Sequence, residues 1–244
     1  MEAPVMEVAF GVSTTVPAAC SYNTVTKKTN CFTCPRFDYN RLKKTATEIF
    51  EFLADQLPEY ASPGHVVWSG AFSDAEKTSL QNIADDLGFT KIAIINVDTA
   101  WSLHLLSFLN KPLPENALIA LIVDLSHILE GSLYRVVDGK LIRVRLTYQT
   151  AVGSGGSQLT YELVEKFRHH FIGDRNVEHV IVEHDGDSLN YSDIFHDSKV
   201  TNIRHGFGNI AMGALIRARV LQGDARFVNY DIITKTDASL DVSN

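Results

Sequence analysis

Apolar residues in the first half of the chain form short continuous runs and one clear helical stripe. The runs at residues 5–12, 65–69 and 91–96 have the length and composition of buried β-strands. Residues 16–36 show no regular period and are predicted to be irregular. Between about residues 38 and 55, apolar positions recur on one face at helical spacing, which predicts an amphipathic helix. These positions are Leu42, Ala46, Ile49, Phe50 and Leu53.

Two more helices are predicted in this half. Ser73 and Glu76 have the spacing of a capping box, which marks the start of a helix that should end near Gly88. Residues 98–109 also show a helical pattern. Strands that alternate with helices are the signature of an α/β layer with parallel pairing.

The second half repeats this organisation. Residues 117–125 are a continuous apolar run, which is typical of a strand covered on both faces. Residues 132–137 and 140–149 alternate in polarity on either side of Asp138-Gly139, a strong signal for a two-residue hairpin turn. The sequence therefore predicts a second sheet that begins with an antiparallel hairpin.

Further elements follow along the second half. Helices are predicted at residues 157–171 and 207–222, and strands at residues 177–182 and 227–233. The helix at 207–222 is rich in small residues, which permit close packing of neighbouring elements: Gly208, Ala211, Gly213, Ala214 and Ala218. The whole pattern predicts an α/β protein of two halves, which the next paragraphs restrict further.

Composition and charge exclude several classes of function. The 244 residues include 22 Lys and Arg against 29 Asp and Glu, so the net charge of −7 argues against binding a nucleic-acid backbone. No apolar run reaches the roughly 20 residues that span a bilayer. The first ten residues carry two glutamates and no basic stretch, unlike a secretory signal. We expect a cytoplasmic or nuclear protein with no membrane association.

The three cysteines are too few for a disulfide framework. Cys31 and Cys34 form a C-x-x-C pair, which could be a redox pair or half of a zinc site completed by Cys20 and a histidine. No second C-x-x-C and no metal-ligand spacing among the nine histidines accompanies the pair. We therefore favour the alternative, two small cysteines in an irregular loop and no bound metal.

Five stretches resemble, in the same order, the ATPase domain of the seventy-kilodalton heat-shock chaperones. Residues 66–101 are similar to that family's strand–helix–strand ending in N-E-P-T-A-A. Residues 154–171 resemble its L-G-G-x-D-F-D helix, and residues 210–224 resemble its helix ending in L-x-G-D. Residues 9–15 (AFGVSTT) stand where the family has G-I-D-L-G-T-T, and residues 121–129 stand where it has a D-L-G-G-G-T phosphate loop.

This resemblance implies an actin-like ATPase fold, with two ribonuclease H-like lobes that hold nucleotide between them. The first lobe would comprise residues 1–111, ending in a crossing helix, and the second residues 112–244. Each lobe of the family carries a further subdomain that overhangs the nucleotide. The intervals 24–36 and 172–176 are too short for either of them. We therefore expect both overhanging subdomains, and any peptide-binding domain, to be lacking.

The residues with which the family holds Mg·ATP are largely replaced. Its first-loop aspartate corresponds to Gly11, the glutamate of N-E-P-T to Val97 and a later hairpin aspartate to Gly131. The glycines of its second loop correspond to residues 126–128, and Glu183 stands where its adenosine-side turn begins. Carboxylates hold Mg²⁺ and glycines let the backbone approach phosphate. Their loss implies no useful ATP hydrolysis.

We therefore expect a catalytically inactive, chaperone-ATPase-like protein that acts as a protein-binding module or scaffold. It would have no catalytic residues, no cofactor and no metal, and would bind a protein partner or a second copy of itself. One alternative is a nucleotide-binding protein or weak ATPase that uses ATP or ADP with Mg²⁺; another is a co-chaperone that regulates true chaperones. If nucleotide binding is retained, the resemblance places it on Thr14, Thr15, Asp124, Gly155 and Gly156.

Three large aromatic residues are candidates for a partner-binding surface. They are Trp68, Trp101 and Phe32. For each of them the competing interpretation is a place in the hydrophobic core, most strongly for Trp68 because it lies in a predicted buried strand.

Overall fold

A computed structural model of the chain describes most of the residues in two compact units. One unit comprises residues 1–107 with 207–229, and the other comprises residues 108–206 with 230–244. The residues described are 6–109, 111–125, 128–150, 160–186, 189–227 and 230–233. No helix in these ranges is long and apolar enough to cross a membrane.

The first unit contains a five-stranded sheet with the order β3-β2-β1-β4-β5. Strands β1 and β2, and β2 and β3, pair antiparallel, whereas β1 and β4, and β4 and β5, pair parallel. The strands are β1 Met6–Ser13, β2 Ala18–Asn23, β3 Thr29–Thr33, β4 Ala61–Ser69 and β5 Ile92–Ile95. Residues 16–36, predicted to be irregular, therefore contain a regular hairpin of β2 and β3.

Four α-helices and a short 3-10 helix cover this sheet. The helices are α1 Leu42–Asp55, α2 Asp74–Asp86, α3 Val97–Leu106 and α6 Asn209–Leu221, and the 3-10 helix is Tyr39–Arg41. The predicted capping box is present, since Ser73 and Glu76 bond each other's backbone amides. Asn96 caps α3 by accepting from the Thr99 amide at 2.6 Å.

The two faces of the first sheet are buried by different helices. One face carries Phe10 and Trp68, which pack with Phe50 of α1, and the predicted apolar stripe of α1 is confirmed. The other face carries Ala9 and Val67, which pack against α6. This face allows a very close approach of the helix, because the residues that meet there are small.

Helix α6 belongs to the first unit, which differs from the predicted division into residues 1–111 and 112–244. The physical reason is the small-residue face of α6. A Cβ atom added to Gly213 would lie 1.7 Å from the carbonyl oxygen of Ala100 in α3. A Cβ atom added to Gly11 of β1 would lie 2.1 Å from the backbone nitrogen of Leu215. The sequence predicted that α6 packs closely against its neighbours, but not that these neighbours are α3 and β1.

The second unit contains a six-stranded sheet with the order β10-β9-β6-β7-β8-β11. Strands β6, β7 and β8 form an antiparallel meander, and β6, β9 and β10 are parallel. The strands are β6 Leu118–Leu125, β7 Ile128–Val137, β8 Lys140–Thr150, β9 His179–His184, β10 Lys199–Arg204 and β11 Asp231–Ile233. Strand β10 was not predicted.

The predicted hairpin turn of the second unit is confirmed. Asp138 and Gly139 have positive φ angles of 50° and 70°, as a two-residue turn of the mirror-image type requires. Helices α4 Tyr161–Phe171 and α5 Tyr191–Ile194 cover one face of the sheet. Beneath them lies a core that contains Val164, Phe167, Phe171, Val180, Val182 and Ile122.

Candidate functional site

The turn after β1 holds the first candidate binding residues, and its hydrogen bonds are satisfied internally. Thr14 is buried, its hydroxyl donates to the carbonyl oxygen of Ser69 at 2.9 Å, and its amide donates to the same oxygen at 3.1 Å. Ser13 Oγ accepts from the amide of Val16 at 3.2 Å and lies 3.1 Å from Thr15 Oγ1. The amide of Val16, which a phosphate-binding turn would direct at its ligand, is thus bonded to a side chain.

An aromatic side chain covers Thr14. The hydroxyl of Tyr39 lies 2.9 Å from Thr14 Oγ1 and also accepts from the amide of Ala71 at 3.3 Å. Because the Thr14 proton goes to Ser69, the Tyr39 hydroxyl donates to Thr14. Phe72 stacks beside Tyr39 with ring centroids 5.5 Å apart.

Packing around this hydroxyl leaves no spare space. A Cβ atom added to Gly70 would lie 2.6 Å from Thr14 Oγ1, 2.8 Å from Phe72 and 2.9 Å from the Tyr39 hydroxyl. Sequence reasoning missed Tyr39, because nothing about an aromatic residue before a helix indicates that it will contact residue 14. Thr15, by contrast, is exposed.

Gly11, where the chaperone resemblance would place a carboxylate, is enclosed by backbone. Gly11 lies in β1 against α6, and a Cβ atom there would lie 2.1 Å from the Leu215 nitrogen and 2.2 Å from the Ala211 carbonyl oxygen. No side chain fits at these distances without a shift of the helix or the strand. The absence of a carboxylate at Gly11 is therefore built into the packing of the first unit.

In the second unit, Asp124 ends β6 and is capped by a tyrosine. Asp124 is 6 % exposed, and its Oδ2 accepts a hydrogen bond of 2.5 Å from the hydroxyl of Tyr191, which is fully buried. Burial raises the pKa of Asp124 above its ordinary value, while the Tyr191 hydrogen bond opposes that rise. Burial, together with the hydrogen bond to Asp124, also raises the pKa of Tyr191.

The loop after Asp124 is short. Leu125 pairs with Ile128 in the β6–β7 ladder, so only residues 126 and 127 separate the strands, and these two lie outside the described residues. Gly131 in β7 faces α4, where an added Cβ atom would lie 2.7 Å from Phe167 and 2.8 Å from Phe171. Both rings are fully buried, so this second carboxylate position is also occupied by packed side chains.

Glu183, at the position of the family's adenosine-side turn, is buried and paired. It is 1 % exposed, and its Oε1 lies 2.7 Å from Nδ1 of His205, which follows β10. The adjacent His184 bonds the carbonyl oxygen of Gly186 through Nδ1 at 2.8 Å. Within the described ranges, no group of three or more His, Cys, Asp or Glu residues could hold a metal ion.

The C-x-x-C pair is not a site, because its two cysteines do not pair with each other. Cys31 forms a disulfide with Cys20 on the neighbouring strand. Cys34 is buried in the core on the α1 side of the sheet, where burial raises the pKa of its thiol to about 11. The prediction of two small cysteines in an irregular loop, made for Cys31 and Cys34, is therefore wrong for Cys31, which lies in β3 and is disulfide-bonded.

The three aromatic candidates for a partner surface are not prominent on the exterior. Trp68 is completely buried, so its assignment to such a surface is wrong. Phe32 is half-buried and packs on Phe52 with ring centroids 6.0 Å apart, and Trp101 in α3 is half-buried. Of the side chains around Thr14, Tyr39 is the more exposed aromatic, at 40 %.

Comparison with known proteins gives structural neighbours but no sequence relatives. No protein-family model and no curated protein matches the chain. The apo structure of the psk41 ParM protein aligns with a TM-score of 0.54 at 10 % identity, covering 91 % of this chain and 99 % of that chain. The chain has the actin-like ATPase fold. A non-polymerisable quadruple mutant of pCBH ParM aligns with a TM-score of 0.47 at 12 % identity, over 88 % of this chain and 99 % of that one.

The actin-like fold was predicted from the heat-shock chaperone resemblance, and at this level the prediction is confirmed. The described connections from β3 to α1 and from α4 to β9 contain no inserted domain, as expected. At identities this low the neighbours show the fold alone, so the chaperone relationship itself stays a prediction. The nucleotide site also stays a prediction. Thr14 lies in the first unit and Asp124 in the second, while Gly155 and Gly156 lie outside the described residues.

Proposed function

We propose that this protein is a catalytically inactive relative of the heat-shock chaperone ATPases that works as a cytoplasmic protein-binding module. The observation that carries the proposal is that a tyrosine hydroxyl caps each of the two buried candidate polar groups, Thr14 and Asp124, whereas Thr15 is exposed. Tyr39 donates to Thr14, and Tyr191 donates to Asp124. A buried polar group without a partner costs about 1–3 kcal/mol, so groups that once met a ligand need internal partners when the ligand is lost.

Steric closure supports the same conclusion. Gly11 and Gly131 are two of the three positions at which the chaperone resemblance places carboxylates, the third being Val97. A Cβ atom added to either glycine would lie 2.1–2.8 Å from helix backbone or buried rings. An ATPase needs carboxylates that hold hydrated Mg²⁺ and position water. We infer that neither function can be restored at these positions by a single substitution.

A surface beside Tyr39 is the favoured partner site. A groove of about 560 Å³ runs between Arg36 and Glu48, and its lining includes Tyr39, Arg41 and Lys44. Neither Arg36 nor Arg41 forms a salt bridge within the described part of the chain. Exposed Tyr and Arg are the residue types that dominate protein interfaces. The lining also contains Asp38 and Glu48, the latter 3.7 Å from Lys44, so Arg36 and Arg41 are the cations that would bind an acidic segment of a partner protein.

The experiment that tests inactivity is a thermal-shift titration with Mg·ATP and Mg·ADP. A nucleotide with a Kd of 1 µM stabilises its protein by about 4 kcal/mol at 1 mM ligand, which raises Tm by about 8 °C or more in a chain of this size. We expect a change below about 1 °C and no phosphate release. A clear shift that depends on Mg²⁺ would favour the nucleotide-binding alternative.

Partner binding is tested separately by affinity purification with the wild type and with an Arg36→Glu/Arg41→Glu variant. A partner that uses the groove is lost from the variant and retained by Lys28→Glu, a matched charge reversal at an exposed site outside the groove. Recovery of chaperone-cycle proteins that both variants retain would favour the co-chaperone alternative. Equal recovery of every protein from all three would contradict the groove.

A further inference from the structure

The disulfide between Cys20 and Cys31 fastens the edge strand of the first sheet. The two cysteines are directly opposite each other in the β2–β3 ladder, with Cα atoms 4.1 Å apart. Asn23 donates its amide to Lys28 in the same ladder, so alternation along the hairpin makes Cys20 and Cys31 a non-hydrogen-bonded pair. Within the described residues, β3 pairs with β2 alone, so the disulfide crosslinks β3 to its one neighbouring strand.

The two cysteines differ in exposure to solvent. Cys20 is completely buried under α6, whereas Cys31 is exposed on the edge strand. Thiol–disulfide exchange requires a thiolate to reach one sulfur of the bond, and the outcome depends on which sulfur is attacked. The exposed residue is therefore the one that an external thiol meets.

We propose that Cys31 is a site of reversible modification by low-molecular-weight thiols of the glutathione class, through exchange with the Cys20–Cys31 disulfide. The thiolate attacks Sγ of Cys31, and a new sulfur–sulfur bond forms between the small thiol and Cys31. The bond to Cys20 breaks, its electron pair leaves on the Cys20 sulfur, and that thiolate takes a proton from solvent. The number of disulfide bonds is unchanged, and attack by Cys20 on the adduct reverses the step.

The exchange would affect helix α6, because the disulfide lies beside Gly208 at the start of that helix. This glycine is the N-cap residue of α6 and makes no side-chain cap hydrogen bond. The position of a Cβ on Gly208 lies 3.4 Å from both Sγ atoms, and Sγ of Cys20 lies 3.8 Å from its carbonyl oxygen. Opening the disulfide removes this support from the first turn of α6 while it releases β3.

The third cysteine supplies the matched control. Cys34 lies in the core on the opposite face of the sheet, where its thiol cannot reach the disulfide. A Cys34→Ala variant should therefore behave like the wild type. Cys31→Ser leaves only Cys20 in the hairpin, buried, and should form no adduct while folded. Cys20→Ser leaves the exposed Cys31 as a free thiol, which should form the same adduct with oxidised glutathione.

The experiment is intact-mass and peptide mass spectrometry of the folded, oxidised full chain after incubation with reduced glutathione. We expect one glutathione per chain, mapped to Cys31, with Cys20 free to alkylation only after unfolding. An adduct on Cys20 or Cys34, or opening of the disulfide without any adduct at Cys31, would overturn the proposal. So would purification of the wild type under non-reducing conditions with Cys20 and Cys31 as free thiols.

Hydrogen exchange on the same samples tests the structural consequence. A crosslink closing a loop of about a dozen residues disfavours opening by about 100-fold in the chain-entropy description. Amides of β3 and of residues 208–212 should therefore exchange on the order of 100-fold faster in the adduct than in the disulfide form. Unchanged exchange in both segments would show that the disulfide does not hold them.

Discussion

Gly11→Ala tests the close contact on which the loss of the first carboxylate depends. The added Cβ would lie 2.1 Å from the Leu215 nitrogen, 2.2 Å from the Ala211 carbonyl oxygen and 2.7 Å from the Leu215 Cα. An ordinary contact begins near 3.4 Å, so the helix or the strand must move by about 1.3 Å. Overpacking usually costs about 1–3 kcal/mol, and all three obstructing atoms are backbone, so we expect a loss of about 3 kcal/mol or more.

The assay is urea unfolding followed by tryptophan fluorescence. Both tryptophans, Trp68 and Trp101, lie in the first unit, so the signal reports on the sheet that Gly11 occupies. With an m-value of about 2–3 kcal/mol/M, a 3 kcal/mol loss lowers the midpoint by about 1 M or more. Gly208→Ala, whose added Cβ makes only ordinary contacts at 3.4 Å, should cost less than about 1 kcal/mol. A Gly11→Ala midpoint within about 0.2 M of wild type would refute the packing argument.

Three further predictions concern the surroundings of Asp124, which is buried, and of Asp224, which is half-buried. Burial raises the pKa of Asp124 above its ordinary 3.8, so the folded state holds a proton that the unfolded state has released, and the free energy of unfolding falls as pH rises from 3.8 through the folded-state pKa. Asp124→Asn should make this fall with pH less steep in urea titrations. A steeper fall would contradict the assignment. Tyr191→Phe removes the donor to Asp124 and should cost about 1–3 kcal/mol at neutral pH in the same titrations. Asp224 accepts from Arg219 and Arg226, which hold its pKa below the ordinary value, so its contribution is present above pH 3.8 and is lost as pH falls. Asp224→Ala removes the carboxylate partner of Arg219, which is 7 % exposed, and should lower the free energy of unfolding by about 3 kcal/mol. A loss below about 1 kcal/mol would mean that stacking on Tyr22 is enough to stabilise the Arg219 charge.

Elements with a strong local signal could be predicted from the sequence. The apolar stripe of α1, the capping box of α2 and the Asp138-Gly139 turn each depend on residues a few positions apart, and the structure contains all three. The β2–β3 hairpin had no such signal, because its residues alternate weakly and its turn around Lys27 has positive φ without a glycine. Its pairing depends on the disulfide and on the neighbouring strand β1.

The candidate site likewise has some features that the sequence predicts and others that it does not. Loss of carboxylates at Gly11 and Gly131 can be read from single positions once the resemblance is noticed. Tyr39 and Tyr191, whose hydroxyls cap Thr14 and Asp124, lie 25 and 67 residues from these partners. Only the folded chain brings such distant residues together, so no local pattern indicates them. The same holds for α6, which joins the first unit from the far end of the sequence.

The hydrogen bonds of Tyr39 and Tyr191 offer a physical explanation for the proposed loss of function, which the replaced residues alone do not. A nucleotide-binding protein keeps polar groups without internal partners in its site, because the ligand and its water supply them. When the ligand is abandoned, each such group that becomes buried must find a partner or be replaced. At Gly11 and Gly131 the polar side chain is absent and packing closes the space. At Thr14 and Asp124 the polar side chain remains and a tyrosine hydroxyl satisfies it. A ligand that displaced the Tyr191 hydroxyl would have to replace its hydrogen bond to buried Asp124 or leave a cost of about 1–3 kcal/mol, whereas Thr14 would keep its bond to Ser69.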